Sequence, residues 1–201
     1  MGRNLQPKHK ASRRFGENVA DTVKSPLAKK NYPPGMHGPK KTFAKASEYG
    51  RQLMEKQKAK IIYGLLEKQL KNLVKAVQTK KGETGEMILS LLETRLDNMV
   101  YRLGFAKTRM NARQFVSHGH ILVNGKKVTI PSFQVKIDSE ITIAEKIKQN
   151  PQFLSAMEEK EGNVLPFLKK NKLSGKLVRM PKKDDLEIPF DMQLIIEYYS
   201  R

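Results

Sequence analysis

The sequence predicts an α+β protein: a cationic N-terminal arm, a run of amphipathic helices, and a compact unit in which helices pack on a short-stranded antiparallel sheet. Three observations predict it. Apolar residues recur every three to four positions through most of residues 47–118, the spacing that keeps one face of a helix dry. The pattern then changes to short β-rich runs around Asn124-Gly125, the dipeptide best suited to a two-residue hairpin turn. Charge is the third: 39 Lys and Arg stand against 20 Asp and Glu, a net +19, and residues 1–60 carry fifteen of the basic side chains but four of the acidic ones.

Residues 1–46 hold few large apolar side chains, no sustained period and the breaker cluster "NYPPGMHGP", which predicts an arm with little core of its own, ordered mainly against a partner. Ser47 is placed to cap a helix through "SEYGRQLMEKQKAKIIYG". A second helix follows through "LLEKQLKNLVKAVQTKKG", where Leu66, Leu70, Leu73, Val74 and Val77 form one stripe, Lys68, Lys71 and Lys75 lie off it, and Gly82 marks the stop. Thr84 opens "TGEMILSLLETRLDNMVYRLG", whose Ile88, Leu92, Leu96, Met99 and Leu103 share a face, with a kink or break expected near Glu93 and an end at Gly104. Thr108 caps "RMNARQFVSHG", which Gly119 terminates, with Ala112, Phe115 and Val116 inward. "HILVNGKKVTI" reads as a hairpin, "FQVKI" and "EITI" as two further strands, "NPQFLSAMEEKEG" as a helix, "GKLVRM" as strand-like, and "DMQLIIEYYSR" as a final helix capped by Asp191.

Several chemistries are excluded. Cysteine is absent, which removes disulfides, thiolate catalysis and cysteine zinc sites and fits a reducing compartment. "GETGE" and "GPKK" lack the spacing of a phosphate loop, nothing resembles a nucleophile elbow, and no enzymatic activity is expected. Of His9, His37, His118 and His120, only the "HGH" pair is close in sequence, two ligands where a metal needs three or four; neither metal nor cofactor is expected. There is no apolar run of about twenty residues, and "MGRNLQ" has Gln6 where a myristoylation signal has Ser or Thr, so nucleic acid is expected as the polyanion and membrane is not.

What remains is binding chemistry. Arg109 and Arg113, one helical turn apart, present guanidinium forks on one face, with Lys126 and Lys127 of the hairpin behind them and Arg95 and Arg102 approaching from the preceding helix. A helix-turn-helix would carry a second helix where this chain has a hairpin, which favours structured RNA over DNA.

The stretch "LLETRLDNMVYRLGFAKTRMNARQFVSHGHILVNGKKVTIPSFQV" resembles the RNA-binding module named after small-subunit ribosomal protein S-four. The opening "MGR", "YPPGMHG", "EKQK" with its "IYG", "KGETGEMILSLLE" and the closing "IIEYYSR" are similar to that ribosomal family itself, so the resemblance covers essentially the whole chain. It implies an arm over 1–46, a helical subdomain over 47–92 completed by 180–201, and the RNA module, 93–179, inserted between. It also implies a structural constituent of the small ribosomal subunit that binds a multi-helix junction in the 5′ domain of its RNA and nucleates assembly, in a bacterial-type cytoplasm or an organelle. Carried over by position, Arg95, Arg102, Arg109, Arg113, His118 and Asn124, with Lys126 and Lys127 beside them, are the module's RNA-binding residues, Gly125 serving the turn. In the arm, Arg3, Lys8, Lys10, Arg13, Arg14 and His37 fall where the family lies on RNA. Lys40, Lys41 and Lys45 fall where it lines the channel by which messenger RNA enters, and the tail beyond about Leu173 corresponds to the face that meets ribosomal protein S-five and bears on decoding accuracy. Some members hold zinc in an N-terminal cysteine cluster; here His9 and Ser12 stand at two of those positions, and Asn4 stands where an aromatic is usual.

Overall fold

The computed structural model describes residues 7–19, 25–40, 46–159, 165–171 and 173–201. The chain divides into two compact units, Met1–Gly85 with Ile188–Arg201, and Glu86–Glu187. The first is therefore discontinuous in sequence, the second continuous.

In the first unit the arm corrects the sequence expectation. Residues Lys8–Phe15 form helix α1, ended by Gly16 at φ 72°. Arg13 explains why no hydrophobic period announces it: its Nε and Nη2 donate to the carbonyls of Tyr32 (3.1 Å) and Pro33 (3.2 Å), and its guanidinium lies 4.7 Å from the Tyr32 ring centre. The arm is thus folded back on itself by one side chain, over a small core of Ala11, Ser12 and Val19. Lys58 Nζ ties it onward through Glu17 at 3.2 Å.

Helix α2, Glu48–Ile62, starts where Ser47 Oγ accepts from the Gly50 amide, the capping bond its sequence predicts. Helix α3, Glu67–Gln78, buries Leu70, Val74 and Val77. Of the rest of the stripe, Leu73 is half-buried, and Leu66 stands before the first helical turn and is 37% exposed. Helix α3 also ends at Gln78, short of Gly82, whose φ is 130°. The C-terminal helix runs Met192–Ser200, with Asp191 Oδ1 accepting from the Gln193 amide. It packs on α2: Gln52 donates to Glu197 (3.0 Å), and the Asp191 amide donates to Glu55 (2.8 Å). Beneath it Lys56, 3% exposed, donates to Glu67 at 2.8 Å and lies 4.2 Å from the Tyr198 ring centre. Lys60 and the Tyr199 hydroxyl donate to the same carboxylate at 3.1 and 3.0 Å.

The second unit begins in α4, Thr84–Glu93, and continues through α5, Leu96–Arg102, and α6, Arg109–Ser117. Strands β1 (Ile121–Val123), β2 (Lys126–Lys127) and β3 (Glu140–Ile143), helix α7 (Pro151–Glu159), and strands β4 (Leu168–Asn171) and β5 (Ser174–Leu177) follow, which makes the C-terminal helix α8. The sheet is antiparallel throughout, in the order β2-β1-β3-β5-β4. Its inner face brings Ile121, Ile141, Ile143 and Leu177 against the helices, and the sequence stripe Ile88, Leu92, Leu96, Met99 and Leu103 is buried throughout.

The break falls at Thr94-Arg95, as expected near Glu93, and it accounts for a second correction. "FQVKI" forms no strand, apart from one bridge between Arg95 and Gln134. Breaking a helix orphans the first amides of the next one; residues 131–135 satisfy them. Leu96 donates to the Phe133 carbonyl (2.8 Å), Asp97 to that of Pro131 (3.1 Å), and Val135 returns a bond to Thr94 (2.9 Å). The segment's backbone is used for capping, not pairing. The hairpin is likewise shorter than "HILVNGKKVTI" suggests, and "GKLVRM" is strand only through Leu177, where β5 lies between β3 and β4, whose lysines gave no strand signal.

Gly175 sits where β5 passes Leu103, and a Cβ there would lie 2.4 Å from Leu103 Cδ2. Gly175→Ala is expected to destabilise the protein by about 1–3 kcal/mol through overpacking, measured as a lowered urea midpoint; an unchanged midpoint would show that Leu103 has room to turn away. Glu67 yields an acid-side prediction. Burial raises its pKa, but hydrogen bonds from Lys56, Lys60 and Tyr199 outweigh burial and hold the carboxyl below its ordinary value. The ionised form is therefore favoured on folding, so its contribution is present above the ordinary carboxylate range and is lost as pH falls through the lowered folded value. Glu67→Gln should give a shallower loss of urea midpoint than the wild type between about pH 6 and pH 3, and equal slopes would remove Glu67 from the acid response.

Candidate RNA interface

Helix α6 begins because Thr108, in extended conformation, accepts a hydrogen bond from the Asn111 amide at its Oγ1. This cap places Arg109 in the first turn and Arg113 one turn later, as the sequence predicts. Helix α5 lies beside them, and the α4–α5 break delivers two buried acids to the same place.

Glu93 is fully buried. Arg102 Nε and Nη2 donate to its two carboxylate oxygens at 2.9 and 3.0 Å, and the buried Asn98 donates to it at 2.7 Å. Asn98 in turn accepts from Arg109 Nε at 2.9 Å, while the Arg109 guanidinium lies 4.4 Å from the Tyr101 ring centre. Asp97, on the other side of the break, accepts both Nε and Nη2 of Arg95 at 3.1 and 2.7 Å and Arg113 Nη1 at 3.4 Å. It also receives the Asn98 amide at 3.0 Å.

All four arginines singled out in the sequence are thus brought together, but with unequal exposure. Arg95 is 5% exposed and bidentate on Asp97, which makes it an internal strut. Arg102, Arg109 and Arg113 are half-buried, each oriented by an acid or amide beneath it. Sequence reading missed that foundation of Glu93, Asp97, Asn98 and Tyr101. Its only trace is that Glu93 and Asp97 stand four apart, and Asp97 and Arg113 lie on separate elements.

The hairpin follows α6 and meets the chain just beyond its C-terminal end, where Lys127 passes Gly119. Asn124 and Gly125 both have positive φ, 49° and 76°, as a primed turn requires. Asn124 does more than turn the chain: its amide donates to Glu140 and its Oδ1 accepts the Glu140 amide, both at 2.8 Å, fixing the hairpin to β3. Gly119, at φ 73°, leaves the space that Lys127 crosses, since a Cβ there would come within 2.0 Å of Lys127 Cε. His118 is exposed, its ring 6.0 Å from that of His120. Burial first, then the charges of His118 and Lys127, push His120 below its ordinary pKa.

In the arm, Lys10, Arg14, His37 and Lys40 are exposed, whereas Arg13 is engaged with Tyr32 and Pro33. Lys8 lies within α1. Arg3, Asn4, Lys41 and Lys45 lie outside the described residues. Ser12 is buried and His9 exposed, and among the described residues no group of three or more His, Asp or Glu is placed to hold a metal ion. Among them, too, no helix is long and apolar enough to cross a membrane.

Helices α5 and α6 thus present an array of guanidinium groups held from below by buried acids and an amide. Residues 3–93 match the family described as Ribosomal protein S4/S9 N-terminal domain, and residues 94–141 match the S4 domain. The small ribosomal subunit protein uS4 of Aquifex aeolicus is 48% identical over 210 residues, covering 100% of both chains. That of Lactococcus lactis subsp. cremoris is 47% identical over 204 residues, covering 100% of this chain and 99% of the relative. That of Roseiflexus castenholzii is 44% identical over 206 residues, again covering 100% of both. The chain belongs to the uS4 family of small ribosomal subunit proteins.

Asp97 carries the sharpest stability prediction of the module. Asp97→Ala leaves the Arg95 guanidinium buried without a counter-charge, and is expected to cost about 3–5 kcal/mol, read as loss of the cooperative urea transition or a large drop in its midpoint. A shift under about 0.5 kcal/mol, the size usual for surface substitutions, would mean that Arg95 reaches water.

Proposed function

We propose that the chain is a structural, non-catalytic constituent of the small ribosomal subunit that binds its ribosomal RNA through the arginine array and the hairpin that follows α6. One observation carries the site assignment: Arg102, Arg109 and Arg113 are pre-oriented by buried Glu93, Asn98 and Asp97, so little side-chain entropy is lost when phosphates arrive. Arg95 contributes by holding Asp97. Asn124 contributes by holding the hairpin, and Lys126, Lys127 and His118 contribute charge.

The finer reading is a multi-helix junction in the 5′ domain of the ribosomal RNA as the target, bound early in assembly. The arm over 1–46, the helical subdomain over 47–92 with 180–201, and the inserted module over 93–179 divide the labour. Arg3, Lys8, Lys10, Arg14 and His37 extend the RNA contact. Lys40, Lys41 and Lys45 face messenger RNA as it enters, and the tail beyond Leu173 meets ribosomal protein S-five and so bears on accuracy. The ribosome is of bacterial type, in a cytoplasm or an organelle. The exposure of Lys10, Arg14, His37 and Lys40 supports the arm's part in this; the relatives' shared name supports the subunit.

The test is a salt series of binding to the 5′ domain of small-subunit ribosomal RNA beside a shuffled RNA of equal length. Native RNA should stay bound at salt concentrations that release the shuffled one, whereas identical curves would reduce the protein to a general cationic binder. Arg109→Ala with Arg113→Ala should weaken native binding by roughly 1 kcal/mol or more for each charge-assisted hydrogen bond to phosphate that the truncation removes. Unchanged affinity would remove α6 from the interface.

A further inference from the structure

Three basic side chains meet where α6 gives way to the sheet. His118 stands at the C-terminal end of α6 and is exposed; His120 follows two residues later, half-buried, just before β1. Their rings lie 6.0 Å apart, and the Phe115 ring meets His120 edge to face at 6.3 Å. Lys127 enters from β2. It pairs with Leu122, which lies on the same side of the strand as His120. Its side chain then crosses Gly119, the residue between the two histidines, so that a Cβ built there would lie 2.7 Å from Lys127 Nζ.

Among the described residues none of these three side chains takes part in an ion pair. His118 faces His120 from α6 and Lys127 faces it from β2. The third neighbour, β3, ends opposite His120 at the uncharged Ala144, whose amide donates to the His120 carbonyl at 2.9 Å. The next acid along the chain, Glu145, is engaged by Lys148. Charging His120 therefore meets burial and two cations with no acid to offset them, which is why its pKa is lowered. In the free protein near neutral pH the corner holds a neutral imidazole beside an ammonium group. A guest that brings negative charge reverses that balance.

We propose that His118, His120 and Lys127 form a phosphate site that takes up a proton as it fills, with His120 as the group that accepts it. A phosphate among the three offsets the repulsion from Lys127 and His118 and favours the imidazolium, which donates a hydrogen bond that the neutral ring, with a single N–H, has less capacity to supply. The proton comes from water or buffer and returns there when the phosphate leaves. The sign follows from linkage: binding consumes a proton, so affinity rises as pH falls through the higher pKa of the bound state, and the gain is complete below the lowered pKa of the free protein. The ligand is a phosphate of an RNA backbone. The inference rests on the RNA-binding reading above and adds to it a dependence on pH.

The experiment titrates the full chain, as wild type and as His120→Asn, with the 5′ domain of small-subunit ribosomal RNA and with the shuffled RNA, between about pH 5.5 and pH 8 at fixed ionic strength. One pKa unit gained on binding is worth a factor of about ten, so the wild type should bind native RNA about three- to tenfold more tightly at the acid end. His120→Asn should lose most of that dependence. Calorimetry of the same binding in buffers of different ionisation enthalpy should count proton uptake, up to about one per complex, by the wild type near pH 6 and less by the variant. This count separates a lost proton site from a merely loosened hairpin. A wild type that takes up no proton would overturn the site without recourse to a variant, as would equal slopes and counts for wild type and His120→Asn, even with native RNA still distinguished from shuffled. Equal affinity for the two RNAs, with His120-dependent uptake on both, would keep the phosphate site and overturn the ribosomal reading instead.

Discussion

Two buried carboxylates stand on either side of the helix break at Thr94-Arg95, and the second unit is arranged around them. Glu93 gathers Arg102 and Asn98, and through Asn98 it reaches Arg109; Asp97 gathers Arg95 and Arg113. Burying each carboxylate costs free energy that these partners offset, and the acids in turn fix the geometry of the arginines bonded to them. The same break makes α5 need external caps, which residues 131–135 provide, and so ties the chain beyond the hairpin back to the helices. The arginine array and the structural joint are one feature.

The first unit uses charge differently. Lys56 is buried under α8 with Glu67 as counter-ion and two tyrosine rings beside it, a cation enclosed by partners on two other helices. The guanidinium of Arg13 plays a similar part in the arm, where hydrogen bonds to two carbonyls supplement a small core. In both units, then, several basic side chains are structural, most of them paired with carboxylates.

This explains what was legible in the sequence. The helices of 47–118 and the Asn124-Gly125 turn were readable because period and turn chemistry are local: Ser47, Thr108 and Asp191 cap as residue type predicts, and the stripe from Ile88 to Leu103 is buried across the break. Helix α1 and the capping role of 131–135 were not, because each depends on a partner far along the chain; strand β4 was not, because "LKKN" lacks apolar alternation although its partner β5 is its neighbour in sequence. The site shows the same division. Residue type located the arginines; only the fold shows that Arg95 faces inward while Glu93 and Asp97, two acids among many in the sequence, orient the other three.

The discontinuity of the first unit has a consequence for the order of events during synthesis. Helices α2 and α3 leave the ribosome early, but the helix that covers them, α8, follows only after all of residues 86–187 have been made. Until Tyr198 and Tyr199 arrive, Lys56 and Glu67 keep their hydration and the face of Gln52 stays open. The second unit, complete in one continuous stretch, is free to mature first. The chain's N-terminal half is finished by its last residues.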